Sequence, residues 1–141
     1  LPHRSEVVGE VQGVTYVNDS KATNPGALVA TVRGQARGRN IHLIAGGYSK
    51  GLAFDGLAAD LGCYLKGVYL IGENHAELLR EFSGQGAVTC GALARAVSAA
   101  AARATDGDIV LLSPGCSSHD QFEDYVERGN SFRELVEWLN P

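Results

Sequence analysis

The sequence predicts an α/β fold: a mostly parallel sheet of about six strands, with helices on both faces and an antiparallel hairpin at the start. Two observations predict it. Short apolar runs bounded by Gly or Asp turns alternate with longer segments of helical periodicity. Near the start, two β-rich runs are separated only by Gln12-Gly13, as in a hairpin.

The elements follow in order. Residues 7–11 and 14–17 make the hairpin. Residues 24–35 make a first helix, because Asn24 suits the cap, Pro25 the first helical position, and Leu28, Val29 and Val32 share a face. The runs at 41–45 (IHLIA), 68–71 (VYLI), 87–90 and 109–113 (IVLLS) read as buried strands. Between the last two, residues 91–104 place Leu93, Val97, Ala100 and Ala104 on one stripe, and Asp106-Gly107-Asp108 stops the helix. At the end, Ser131 and Glu134 have capping-box spacing ahead of a stripe made by Phe132, Leu135, Val136 and Leu139. No repeat, linker or low-complexity tract interrupts this order, so residues 1–141 are expected to form a single domain.

Composition narrows the function classes. With 45% hydrophobic and 20% charged residues, the chain can bury one core. Its net charge of −4 and its scattered Lys and Arg give no footprint for nucleic acid. No apolar run approaches the roughly 20 residues that span a bilayer, and the first residues lack a signal peptide's apolar stretch, so a cytoplasmic monomer is expected. Cys63, Cys90 and Cys116 match no CxxC spacing and read as free thiols. A chain without Met that begins at Leu1 is expected to be a piece of something longer.

In such a sheet, ligands gather where the carboxyl ends of the strands turn into loops, and three loops at that edge carry unusual chemistry. The first, NDSKATNPGA, puts Asp19, Lys21 and Thr23 before a helix N-terminus, which suits an anion. Equally, Asp19 and Lys21 could be solvated loop residues, or paired with each other. The second, AGGYSKGLAFD, has the Gly-Gly of a phosphate-binding turn but not the GxxxxGK[ST] spacing. The third, SPGCSSHDQFEDYVERG, brings Ser113, Ser117, Ser118, His119 and Asp120 together without the GxSxG elbow of a serine hydrolase. Cys116, behind Pro114-Gly115, reads as a small buried residue. Two lysines, several hydroxyls and a helix N-terminus on one edge suit a ligand with more than one anionic group, a dicarboxylate or a nucleotide phosphate.

The stretches YVNDSKATNP, LIAGGYSKGLAF and VLLSPGCSSHDQFEDYVERGNSFRELV resemble the C-terminal domain of the Mur ligases, and within that family its D-glutamate-adding members. The resemblance implies a Rossmann-like fold and a bacterial, cytoplasmic, three-domain enzyme of peptidoglycan precursor synthesis. Its other domains would hold a UDP-sugar and, on a P-loop, ATP with Mg²⁺. Its substrates would be D-glutamate, ATP and UDP-N-acetylmuramoyl-L-alanine, joined through an acyl phosphate. By motif position, Thr23 and Lys50 resemble residues that hold the α-carboxylate of D-glutamate. Ser118, His119 and Tyr125 resemble those that hold its side-chain carboxylate, and Arg4, Asp19 and Lys21 those that close over the nucleotide. His119 stands where an aliphatic residue is common, and Tyr125 where Phe is. No catalytic residue and no metal ligand is expected within the chain, which by itself should be inactive. Rival readings are another Mur ligase, a folylpolyglutamate synthetase, or a stand-alone nucleotide-binding module; the DNPR-type motif of the diaminopimelate- or lysine-adding ligase is not found.

Overall fold

A computed structural model describes residues 1–48, 51 and 53–139. Its six-stranded sheet has the order β1-β2-β6-β3-β4-β5. The strands are β1 (Glu6–Val11), β2 (Val14–Asn18), β3 (Ile41–Gly46), β4 (Leu65–Ile71), β5 (Val88–Gly91) and β6 (Ile109–Leu112). β1 and β2 pair antiparallel as the expected hairpin; every other pairing is parallel. The expected IHLIA and IVLLS strands lie side by side, with Leu43 opposite Leu111.

The helices are α1 (Pro25–Gln35), α2 (Leu57–Leu61), α3 (His75–Glu81), α4 (Leu93–Arg103) and α5 (Tyr125–Leu139). On one face, Leu28 and Val32 of α1, Leu57 and Leu61 of α2 and Leu78 of α3 pack with Leu43, Leu70 and Leu111 of the sheet. On the other, Leu93, Val97 and Ala100 of α4 and Phe132 and Val136 of α5 pack with Tyr16, Ile44, Tyr69 and Leu112. Both faces are thus covered, and β3 is buried along its whole length, which is why its sequence reads as a continuous apolar run instead of alternating.

Two expectations need correction. The terminal helix starts at Tyr125, so Ser131 and Glu134 lie inside it, and neither caps it. Asp124 does that instead, accepting a hydrogen bond from the Glu127 N–H at 2.9 Å. The Asp124-to-Glu127 spacing carries the same signal seven residues earlier. The short helices α2 and α3 were not foreseen, because five and seven residues are too few to establish a period.

At the opposite end of the strands from the loops lies a buried polar network. His42 Nε2 is 2.9 Å from Asp108 Oδ2, and His42 Nδ1 is 2.9 Å from the Tyr69 hydroxyl. Lys66 donates to Asp108 at 2.8 Å and the Thr105 N–H does so at 2.9 Å. Burial pushes the Asp108 carboxyl up, but Lys66, Thr105 and His42 together outweigh burial and hold it at about 2. Burial lowers the pKa of His42 despite Asp108, favouring neutral imidazole.

Candidate functional site

The strand order decides which loops meet. Since β6 lies between β2 and β3, the loops that leave these three strands at their carboxyl ends are neighbours. They are then bonded together. Ser117 and Tyr48 exchange backbone hydrogen bonds of 2.9 and 3.0 Å, joining the third loop to the second. The Gly115 N–H donates to the Ala22 carbonyl at 2.9 Å, joining the third to the first.

Glycine makes this closeness possible. At Gly47, with φ +148°, a Cβ would lie 2.3 Å from the Ser117 carbonyl oxygen; at Gly72, with φ +80°, it would lie 2.4 Å from the Gly47 Cα. The Gly-Gly of the second loop is therefore required by backbone packed on backbone. Asn74 seals the junction by accepting from the Gly47 N–H at 2.9 Å and donating to Cys116 Sγ at 3.2 Å. Burial pushes the Cys116 thiol up to about 11, so it is the inert, buried residue its position suggests.

The main fastener escaped the sequence reading. Arg128, in the first turns of α5, is 1% exposed. Its Nε donates to Ser20 Oγ at 2.9 Å, its Nη2 to the Ser20 carbonyl at 2.7 Å and its Nη1 to the Cys116 carbonyl at 3.1 Å. One guanidinium thus pins the first loop to the third. Among the described residues it has no carboxylate partner, and burial lowers it to about 10. Ser20 in turn donates to the Tyr125 carbonyl at 2.7 Å. The only sequence signal was an arginine four residues into a capped helix, which reads as an ordinary solvated side chain.

The residues singled out from sequence fall into two groups. Arg4, Asp19 and Lys21 line one cavity of about 380 Å³, which runs along Ala27, Ala30 and Thr31 of α1. Asp19 is buried, however, and does not behave as a solvated loop residue: its Oδ1 accepts from the Ser5 N–H at 3.0 Å and its Oδ2 from Ser113 Oγ at 2.8 Å. It ties the N-terminal segment to the third loop and forms no pair with Lys21 among the described residues. Ser113 is thereby engaged, and no Ser–His side-chain pair forms in this loop among the described residues.

Thr23 is half-buried just ahead of Asn24, which caps α1 by accepting from the Ala27 N–H at 2.9 Å. Ser118 is buried in a turn in which its carbonyl accepts from the N–H groups of Gln121 and Phe122. His119 is exposed, and its N–H donates to Ser117 Oγ at 3.3 Å. Tyr125 is half-buried at the start of α5, with the Lys21 Nζ 6.0 Å from its ring centroid. Lys50 lies outside the described residues. The described residues thus form an edge with two cations on one cavity, beside a rigid turn, an arrangement fitted to position anions.

Comparison with known proteins gives the family and the fold. The family described as "Mur ligase, glutamate ligase domain" matches residues 3–116. The chain is 44% identical over 140 residues to a UDP-N-acetylmuramoylalanine--D-glutamate ligase of Myxococcus xanthus, covering 99% of this chain and 30% of that protein. It is 47% identical over 144 residues to the ligase of the same name from Sphingopyxis alaskensis, covering 99% of the chain and 32% of that protein. The chain therefore spans about a third of the length of the curated relatives it matches. Among solved structures, a bifunctional folylpolyglutamate synthase/dihydrofolate synthase from Yersinia pestis superposes with a TM-score of 0.71 at 20% identity, over 96% of this chain and 31% of that one. A MurF ligase from Thermotoga maritima in complex with ADP does so with 0.62 at 23% identity, over 98% of this chain and 32% of that one. At such identities these two speak for the fold.

Proposed function

The chain belongs to the Mur ligase family, and from that premise we propose that it is the C-terminal, amino-acid-binding domain of an ATP-dependent UDP-N-acetylmuramoyl-L-alanine:D-glutamate ligase (MurD) of the bacterial cytoplasm. The observation that carries the reading is identity of 44 and 47% to two ligases of that name, spread over 99% of the chain. In this reading residues 1–141 are one domain of three, and the other two hold the UDP-sugar and the ATP.

In the reaction, ATP phosphorylates the carboxylate of UDP-N-acetylmuramoyl-L-alanine. The amine of D-glutamate attacks the acyl carbon, the amide C–N bond forms as the bond to phosphate breaks, and the amine loses its proton. The chain's part is to hold two anionic reactants in register, which supplies rate through positioning and charge stabilisation. Thr23 and Lys50 take the α-carboxylate of D-glutamate. Ser118, His119 and Tyr125 take its side-chain carboxylate, with backbone N–H groups of the turn contributing, so that His in place of an aliphatic residue is tolerated. Arg4 and Lys21 face the nucleotide phosphates, while Asp19 fixes the segment that carries Arg4 through its bond to Ser5. For the Mg²⁺ that accompanies the ATP, no group of three or more His, Cys, Asp or Glu among the described residues could hold a metal. The ion belongs with the phosphates on the domain that carries the P-loop.

The test is ADP release by the full-length protein. It should require both UDP-N-acetylmuramoyl-L-alanine and D-glutamate, and the isolated chain should turn over no ATP. Turnover by the isolated chain, or equal turnover with another amino acid in place of D-glutamate, would overturn the reading.

A further inference from the structure

Tyr125 stands between the two groups of residues just assigned. Its backbone carbonyl is held by Ser20 Oγ at 2.7 Å, and Ser20 is held by the buried Arg128. Its ring is met edge-on by His3, with centroids 6.0 Å apart and an interplanar angle of 80°. The Lys21 ammonium lies over the same ring, 6.0 Å from the centroid. Lys21 is anchored at its backbone, where its N–H donates to the His3 carbonyl at 2.9 Å. Beyond that anchor its side chain is exposed, and among the described residues no carboxylate pairs with it. Lys21 lines the cavity shared with Arg4 and Asp19, whereas Tyr125 does not.

We infer that Tyr125 is a positioning residue for the nucleotide: its ring holds the Lys21 ammonium at the cavity, so a residue of the amino-acid pocket also sets phosphate binding. The face of an aromatic ring attracts an ammonium without neutralising it, unlike a carboxylate, and so leaves the full charge available to a phosphate. The ring also cuts the rotamer freedom that a four-carbon stem would otherwise lose on binding. Only the ring is needed, since the Tyr125 hydroxyl makes no hydrogen bond among the described residues.

The inference rests on the nucleotide reading of the cavity, and one kinetic series separates the two. In the full-length ligase the apparent KM for ATP is measured at saturating D-glutamate, and that for D-glutamate at saturating ATP. Lys21→Ala is expected to raise the ATP KM about tenfold, the loss of one charge-assisted hydrogen bond. Tyr125→Leu is expected to raise it about two- to fivefold. The double variant should be no worse than Lys21→Ala alone, because the ring acts only through the lysine, and Tyr125→Phe should recover most of the loss. If Tyr125→Leu is insoluble, Tyr125→Met serves in its place. Independent losses in the double variant, or a loss confined to the D-glutamate KM, would overturn the inference while leaving the cavity's assignment standing. An unchanged ATP KM in Lys21→Ala would remove the assignment and the inference with it.

Discussion

Replacing Arg128 by Met separates what this residue does for the fold from what it does for the site. Burial brings the guanidinium well below its ordinary value, down to about 10, so keeping it charged near neutral pH costs the folded chain about 3 kcal/mol. Its hydrogen bonds stand against that cost. Deleting them orphans the carbonyls of Ser20 and Cys116, at about 1 to 3 kcal/mol each. The opposing terms are of similar size, so the isolated Arg128→Met chain should lie within about 2 kcal/mol of the parent, a melting shift below about 8 °C. The folded pKa is below the unfolded one, so the penalty is complete at every pH below about 10, and the stability difference between the two chains should be flat from about pH 6 to 9. Activity should behave differently. Without the guanidinium the first and third loops lose their common anchor, and a displacement of about 1 Å costs about a hundredfold in rate. Urea denaturation of the isolated chain and kcat/KM of the full-length ligase provide the two readouts. A stability loss above about 4 kcal/mol with specific activity preserved would show that Arg128 is only a core strut.

Two further outcomes follow from buried carboxylates. Asp108 is held at about 2 in the folded chain against an ordinary 3.8, so its stabilisation, about 2 kcal/mol, is complete above pH 3.8 and lost as pH falls toward 2. Asp108→Asn should flatten the acid limb of the stability curve measured by urea midpoints, and an unchanged limb would rule out this carboxyl as its source. Asp19→Ala leaves the Ser5 N–H and Ser113 hydroxyl without their acceptor and should cost about 2 to 4 kcal/mol, whereas the exposed Lys21→Ala should stay within about 0.5 kcal/mol. Equal urea midpoints for the two variants would contradict the geometry.

What was legible in the sequence is what rests on local chemistry or period. The hairpin, the Asn24-Pro25 helix start and the strands at 41–45 and 109–113 follow from turn residues, caps and continuous apolar runs, and all are present. The boundary of α5 was misplaced because two capping-box spacings compete, and only tertiary context selects Asp124. Arg4, Asp19 and Lys21 could be grouped by motif, and they do share a cavity. Which of them is buried could not be read, because the partners of Asp19 come from 14 residues before it and 94 after it. Nor could Arg128, whose partner Ser20 is 108 residues away; nothing local marks an arginine that bonds to carbonyls instead of carboxylates.

The Gly-Gly of the second loop shows how one signal can serve two physical demands. In sequence it resembles a phosphate-binding turn, where absent side chains let a ligand approach backbone. In the structure the approaching backbone is the protein's own: Gly46 and Gly47 meet the Ile71 and Ser117 carbonyls, and Gly72 meets Gly47. A side chain at any of them would push the loops after β3, β4 and β6 apart. In the proposed function the anion is then met by what this packing brings to the edge, namely cations and N–H groups from loops remote in sequence and bolted together by Arg128, Asn74 and Asp19. Small residues and buried polar bonds do the fixing, and the exposed Lys21 takes no part in it with its side chain.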